Sequence, residues 1–282
     1  MTTPTLSRSY ASNGIAYHLT GEGSPVVLVH GVGLRAESFA PQIEFLKSSH
    51  KIYAIDMPGH GKSAGFKSAD PNLGDYTTRL EGFIDGVIGE PVLLVGHSMG
   101  AMIALEFIRA HPQKCYGVAT LNSVYSRSCE ASLAIKQRAV ALFHDPQDDL
   151  ASAPTKRWFG DAPTGHCLEI SNLCKQWLTQ VDRQGYAAAY SVFANNDGLR
   201  DEQLAQLQLP VLFLTGEVDT NSTPEMSISM SCLAPGGEVM IIPDAGHLAQ
   251  LTHAEQVNSA LGSFFARCDS NKIDQKNKTG FR

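Results

Sequence analysis

Two spacings of apolar residues alternate along the chain. The runs 25–29, 51–55, 91–95, 116–121, 210–214 and 239–242 are continuously apolar and mostly rich in β-branched residues, as strands buried on both faces of a sheet would be. A further run, 15–19, alternates like an edge strand. Between the runs, apolar positions fall at helical intervals. They are Phe39, Ile43 and Leu46 in 38–48, and Leu80, Phe83, Ile84 and Val87 in 75–88. Met102, Leu105 and Ile108 recur in 98–111, and Val257, Leu261 and Phe264 in 253–266. Strands alternating with helices predict an α/β fold, a mostly parallel twisted sheet with helices on both faces. The alternation stops over 124–203, which holds Trp158 and Trp177 and no buried strand. The pattern divides the chain into a core segment over 1–123, a helical cap over 124–203, a second core segment over 204–266, and a polar, flexible tail over 267–282.

Composition narrows the function classes. With 43% hydrophobic and 18% charged residues the chain reads as an ordinary globular protein. A net charge of -6 and no basic run argue against nucleic acid and against an anionic membrane surface as partners. No apolar stretch of about 18 residues is present, and the first residues carry no signal-like apolar segment, so a cytoplasmic protein is expected. The six cysteines lack ligand spacing, so no metal site is expected and the thiols read as reduced and mostly packed. Homo-oligomerisation stays open.

The chemistry concentrates at Gly96-His97-Ser98-Met99-Gly100, which follows the 91–95 strand and opens the 98–111 helix. A serine on such a strand-to-helix elbow is held in strained backbone, with glycines allowing close approach on either side. The helix N-terminus adds amide donors beside it. Ser98 is therefore the candidate nucleophile. A loop with Gly31 and Gly33 ends the 25–29 strand and can present a second amide, which makes the backbone N–H groups of Val32 and Met99 the expected oxyanion hole. His30 reads as structural.

These residues, with Asp56-Met57-Pro58-Gly59-His60-Gly61-Lys62-Ser63, resemble the α/β-hydrolase superfamily over 14–122 and 204–266. The resemblance implies the α/β-hydrolase fold and a chain order of serine, acid, histidine. It places the acid at Asp219, in Thr215-Gly216-Glu217-Val218-Asp219, and the base at His247, in Asp244-Ala245-Gly246-His247. Glu217 and His253 are the rival acid and base. It also implies that the 56–63 loop is architectural. Such chemistry needs no cofactor; its partners are a small-molecule substrate and water.

Serine at position 98 excludes the branches with a carboxylate nucleophile. Carbon–carbon hydrolases of ring-fission products usually resemble Gly-Asn-Ser-Met-Gly with Trp after the histidine, whereas His97 and Leu248 stand here. The whole chain is most similar to small capped catabolic hydrolases, the enol-lactone hydrolases and those acting on amidomethylene-succinates. A small carboxylate-bearing ester, lactone or amide is the expected substrate, with carbon–carbon cleavage and non-catalytic ligand reception as alternatives. A carboxylate needs a cation; Arg35 and Arg157 are the first candidates, then Arg127 and Arg183. Trp158, with Phe159, Trp177, Tyr186, Tyr190 and Phe193, supplies an apolar lining or the core of the cap.

Overall fold

The computed structural model describes residues 5–68, 70–144 and 149–279, of which 270–279 only as backbone. Its strands are β1 (Ser9–Tyr10), β2 (Ala16–Thr20), β3 (Ser24–Val29), β4 (His50–Ile55), β5 (Val92–His97), β6 (Cys115–Leu121), β7 (Val211–Gly216) and β8 (Gly237–Ile242). They form one sheet in the order β1-β2-β4-β3-β5-β6-β7-β8. The β1–β2 and β2–β4 pairs are antiparallel, and every pair from β4 to β8 is parallel.

The helices are α1 (Ala40–Leu46), α2 (Leu73–Phe83), α3 (Met99–Ala110), α4 (Cys129–His144), α5 (Ser152–Phe159), α6 (Gly165–Gln180), α7 (Arg183–Ala194), α8 (Asp201–Leu204), α9 (Pro224–Leu233), α10 (Ala249–Thr252) and α11 (Ala254–Thr279). Alternate strand residues face opposite sides, so each continuous apolar run feeds two cores. Val27, Val29, Leu94 and Phe213 pack with Leu80 and Phe83 of α2 and with Ile103 and Phe107 of α3. Val26, Leu28, Leu93 and Leu212 pack with Ile43 of α1 and with Leu261, Phe264 and Phe265 of α11.

The run at 239–242 differs from its reading as a doubly buried strand. It forms β8 at the open edge of the sheet, where only Ile242 is buried and Val239 is exposed. The chain beyond Phe265 is also not irregular: α11 continues to Thr279 without an apolar face to announce it. Residues 280–282 lie outside the described residues.

Between β6 and the short helix α8 that precedes β7 stand the helices α4 to α7. They share a small core of their own that includes Leu142, Leu178, Tyr186 and Tyr190. A second cluster, with Leu34, Trp177, Leu248 and Leu251, joins α6 to the loops at the top of the sheet. Trp177 therefore packs at that junction. The chain leaves β3 towards β4 on one side and returns to β5 on the other. Loops after such neighbouring strands splay apart and open a crevice at the carboxyl edge of the sheet. The loops after β3, β5, β7 and β8 all meet there. Among the described residues, no helix is long and apolar enough to cross a membrane.

Candidate active site

Ser98 stands between β5 and α3 with φ 54 and ψ -118. For a residue with a Cβ this backbone is costly, about 1–3 kcal/mol, and persists only where its surroundings impose it. The imposition is visible in the flanking glycines. A Cβ on Gly96 would lie 2.2 Å from the Gly100 carbonyl oxygen, and one on Gly100 would lie 2.1 Å from that of Val29. Only glycines let the turn close so tightly that the serine projects above the sheet.

His247, in the loop after β8, and Asp219, in the loop after β7, converge on it. Ser98 Oγ lies 3.2 Å from His247 Nε2, and His247 Nδ1 lies 2.7 Å from Asp219 Oδ2. All three are buried, at 7%, 5% and 4% exposure. With the carboxylate as acceptor, Nδ1 carries the proton and Nε2 is free to accept from the serine hydroxyl. Burial pushes the Asp219 carboxyl up, but the His247 charge and hydrogen bond, the Asn221 amide and the Asn122 side chain outweigh it. The net effect holds Asp219 below the ordinary carboxylate range.

Asn122, just past β6, is a member of this cluster that sequence reasoning missed. Its Nδ2 donates to Asp219 Oδ2 at 2.8 Å and to Thr215 Oγ1 at 3.2 Å. Its backbone has φ 53, a conformation asparagine tolerates better than most residues. The sequence offered only a lone Asn at a strand end. The rival carboxylate Glu217 points elsewhere, accepting from the Asp244 amide at 3.0 Å. The rival base His253 lies against Thr252 Oγ1, at 2.9 Å.

The neighbouring histidines have fixed tautomers. His30 Nε2 accepts from the Met57 amide, so its Nδ1 donates to the Gly31 carbonyl. His97 Nε2 donates to the His247 carbonyl at 2.8 Å. Burial lowers His30 and His97 to about 3, so both are neutral braces for the loops that carry the site. In the 56–63 loop, Asp56 accepts from Arg8 and from the amides of Ala36 and Lys62. That is a scaffold role. The amides of Val32 and Met99 donate no hydrogen bond among the described residues. Met99 is the first residue of α3, where an orphan amide is expected.

A cavity lies over Ser98. Val32, Trp158, Tyr186, Tyr190 and Phe193 line it, with Arg157 and Asn221 as polar members. The Trp158 ring is stacked on His247, with centroids 6.0 Å apart and planes at 21°. The Arg157 side chain makes no hydrogen bond or ion pair among the described residues. Arg35 is not brought there: it is absent from the lining and donates to Gln180 Oε1 at 3.3 Å. Arg127 is engaged by Asp197 and the Asn196 and Phe193 carbonyls, and neither it nor Arg183 lines the cavity. Among the described residues no group of three or more His, Cys, Asp or Glu could hold a metal ion. All six cysteines are free; Cys129, Cys167 and Cys232 are exposed, so only half of the thiols are packed.

Sheet order, elbow and site define an α/β hydrolase. Residues 26–260 match the model of the Alpha/beta hydrolase family, and the chain belongs to it. The (E)-2-((N-methylformamido)methylene)succinate hydrolase of Acinetobacter baylyi is 38% identical, over 87% of this chain and 91% of that protein. The pimeloyl-[acyl-carrier protein] methyl ester esterase of Edwardsiella ictaluri is 26% identical over 89% and 97%. In fold, the chain is similar to a thermophilic esterase from Thermogutta terrifontis, with TM-score 0.81, 23% identity and coverage of 94% and 99%. It is equally similar to the enol-lactonase from Burkholderia xenovorans, with TM-score 0.81, 21% identity and coverage of 92% and 100%.

Proposed function

We propose that the protein is a serine hydrolase that cleaves an ester, lactone or amide bond of a small, carboxylate-bearing catabolic intermediate through an acyl-enzyme. The contact chain Ser98–His247–Asp219 carries this reading. A serine hydroxyl is a weak nucleophile until a base within hydrogen-bond reach takes its proton. His247 Nε2 accepts that proton as Oγ attacks the substrate carbonyl carbon, and Asp219 holds the imidazolium that forms. The developing oxyanion takes hydrogen bonds from the amides of Val32 and Met99. His247 then gives the proton to the leaving oxygen or nitrogen. Water, deprotonated by the same imidazole, releases the acid and restores Ser98.

The helices α4 to α7 act in this reading as a cap that closes the cavity and excludes bulk water. Arg157 is its cation, and Trp158 covers His247 and gives the substrate an apolar wall. The support is that Arg157, though exposed, lines the cavity and its side chain has no partner among the described residues, whereas Arg35 and Arg127 are occupied. The 38% identical relative, named for its action on a succinate derivative, supports the same substrate class.

The test compares p-nitrophenyl pentanoate with mono-p-nitrophenyl glutarate, which adds a carboxylate at the far end of a five-carbon acyl chain. Arg157→Ala is expected to lower kcat/KM for the glutarate ester roughly tenfold to a hundredfold, mainly through KM, and to leave the neutral ester unchanged. Equal losses on both esters would remove Arg157 as a carboxylate anchor.

A further inference from the structure

Most of the cavity lining over Ser98 is apolar, and few polar groups can orient a substrate in it. Beyond the reacting residues and Arg157, Tyr190 stands out. Its residue is only 5% exposed, and it lines the cavity. Its hydroxyl has no hydrogen-bond partner among the described residues, yet it is not among the atoms sealed from contact. A buried tyrosine hydroxyl ordinarily finds a partner. The ring cannot swing freely to seek one: it packs between Tyr186 and Phe193, with centroids 5.9 and 6.0 Å away.

The surroundings set the kind of partner. Arg157 is the one Lys or Arg in the lining. Arg127 lies behind the wall, over the Phe193 ring at 4.3 Å, and its charge is matched by Asp197. A second carboxylate at Tyr190 would therefore be desolvated without a cation, which is costly. An uncharged oxygen carries no such penalty.

We propose that the Tyr190 hydroxyl forms a second, neutral subsite of the pocket, donating a hydrogen bond to an uncharged carbonyl or ether oxygen on the substrate's acyl part. This rests on the hydrolase reading and makes the substrate bifunctional: a carboxylate for Arg157 and a neutral acceptor for Tyr190. Tyr190 is a specificity residue here. It grips the ground state and the transition state alike, so its loss falls on KM.

The test uses p-nitrophenyl esters of straight-chain acids of four to seven carbons, each paired with the ester bearing a keto group at its penultimate carbon. Neither partner is charged, so Arg157 is not engaged. Wild type is expected to favour the keto partner at one or two chain lengths. Tyr190→Phe should abolish that preference, raising KM for those keto esters roughly tenfold more than for their plain partners. No keto preference in wild type, a preference retained in Tyr190→Phe, or equal losses on both partners would overturn the subsite. Titration of Ser98 with a fluorophosphonate normalises each preparation to its folded sites. If wild type turns over no ester, the hydrolase reading fails by itself. Saturation-transfer NMR of 2-hexanone on wild type and Tyr190→Phe then reads the subsite without turnover. Loss of ketone contact in the variant supports it, and equal contact overturns it.

Discussion

Asn122 shows how much of the site depends on a residue that does not touch the reacting atoms. Its Nδ2 donates to the same Asp219 oxygen that accepts from His247, and its carbonyl accepts from Ser222 Oγ at 2.7 Å. Hydrogen bonds to a charged acceptor contribute about 1.5–3 kcal/mol. Asn122→Gly keeps the positive φ and removes the donor. It is expected to lower kcat roughly tenfold to a hundredfold with KM little changed, measured on a neutral ester. A loss confined to KM would mean that Asn122 acts on binding instead. The meeting of Ser98, Asp219 and His247 at one edge of the sheet was legible from the sequence because each lies in a motif that follows a strand. Asn122 was not, since nothing local distinguishes it from any polar residue after a strand. Tyr190 was legible only as one of several aromatic residues, because its orientation depends on how α7 packs.

At the scale of elements, the parallel strands and their covering helices follow from their apolar runs, and the deviations have local causes. Run 239–242 has a core strand's composition, but nothing in one strand states whether a neighbour lies on its far side. The inserted helices show the same limit: their small core mixes alanines with aromatics, so helical spacing alone does not say which face meets the sheet. One contact seats α7. Gly185 of α7 lies against Gly59, and a Cβ on Gly185 would be 2.3 Å from the Gly59 carbonyl oxygen. Gly185→Ala must push α7 away from the 56–63 loop, displacing Tyr186 and Tyr190. A destabilisation of about 1–3 kcal/mol is expected, with a fall in kcat/KM. Gly86→Ala is the control, because a Cβ there meets nothing within 4 Å. Equal denaturation midpoints for the two variants would contradict the contact.

For the molecule as a whole, buried histidines link folding to pH. Burial lowers His30 and His97 to about 3 and His60 to about 4, from an ordinary 6.5. A depressed folded value means stability that is fully present above 6.5 and lost as pH falls. From there the unfolded chain binds protons that the fold refuses, at up to about 1.4 kcal/mol per pH unit for each histidine. Asp56 and Asp219, both held low, add a further loss through and below the ordinary carboxylate range. Chemical denaturation at pH 7.5 and pH 5 is expected to show a drop of several kcal/mol; equal stabilities would contradict neutral buried histidines.

The central claim is that Ser98 forms a covalent bond with the acyl group. The most direct measurement is hydrolysis of mono-p-nitrophenyl glutarate by wild type and Ser98→Ala, with matched thermal melts to establish folding. Loss of the nucleophile is expected to lower kcat at least about a thousandfold. Turnover by folded Ser98→Ala at the wild-type rate would contradict the account.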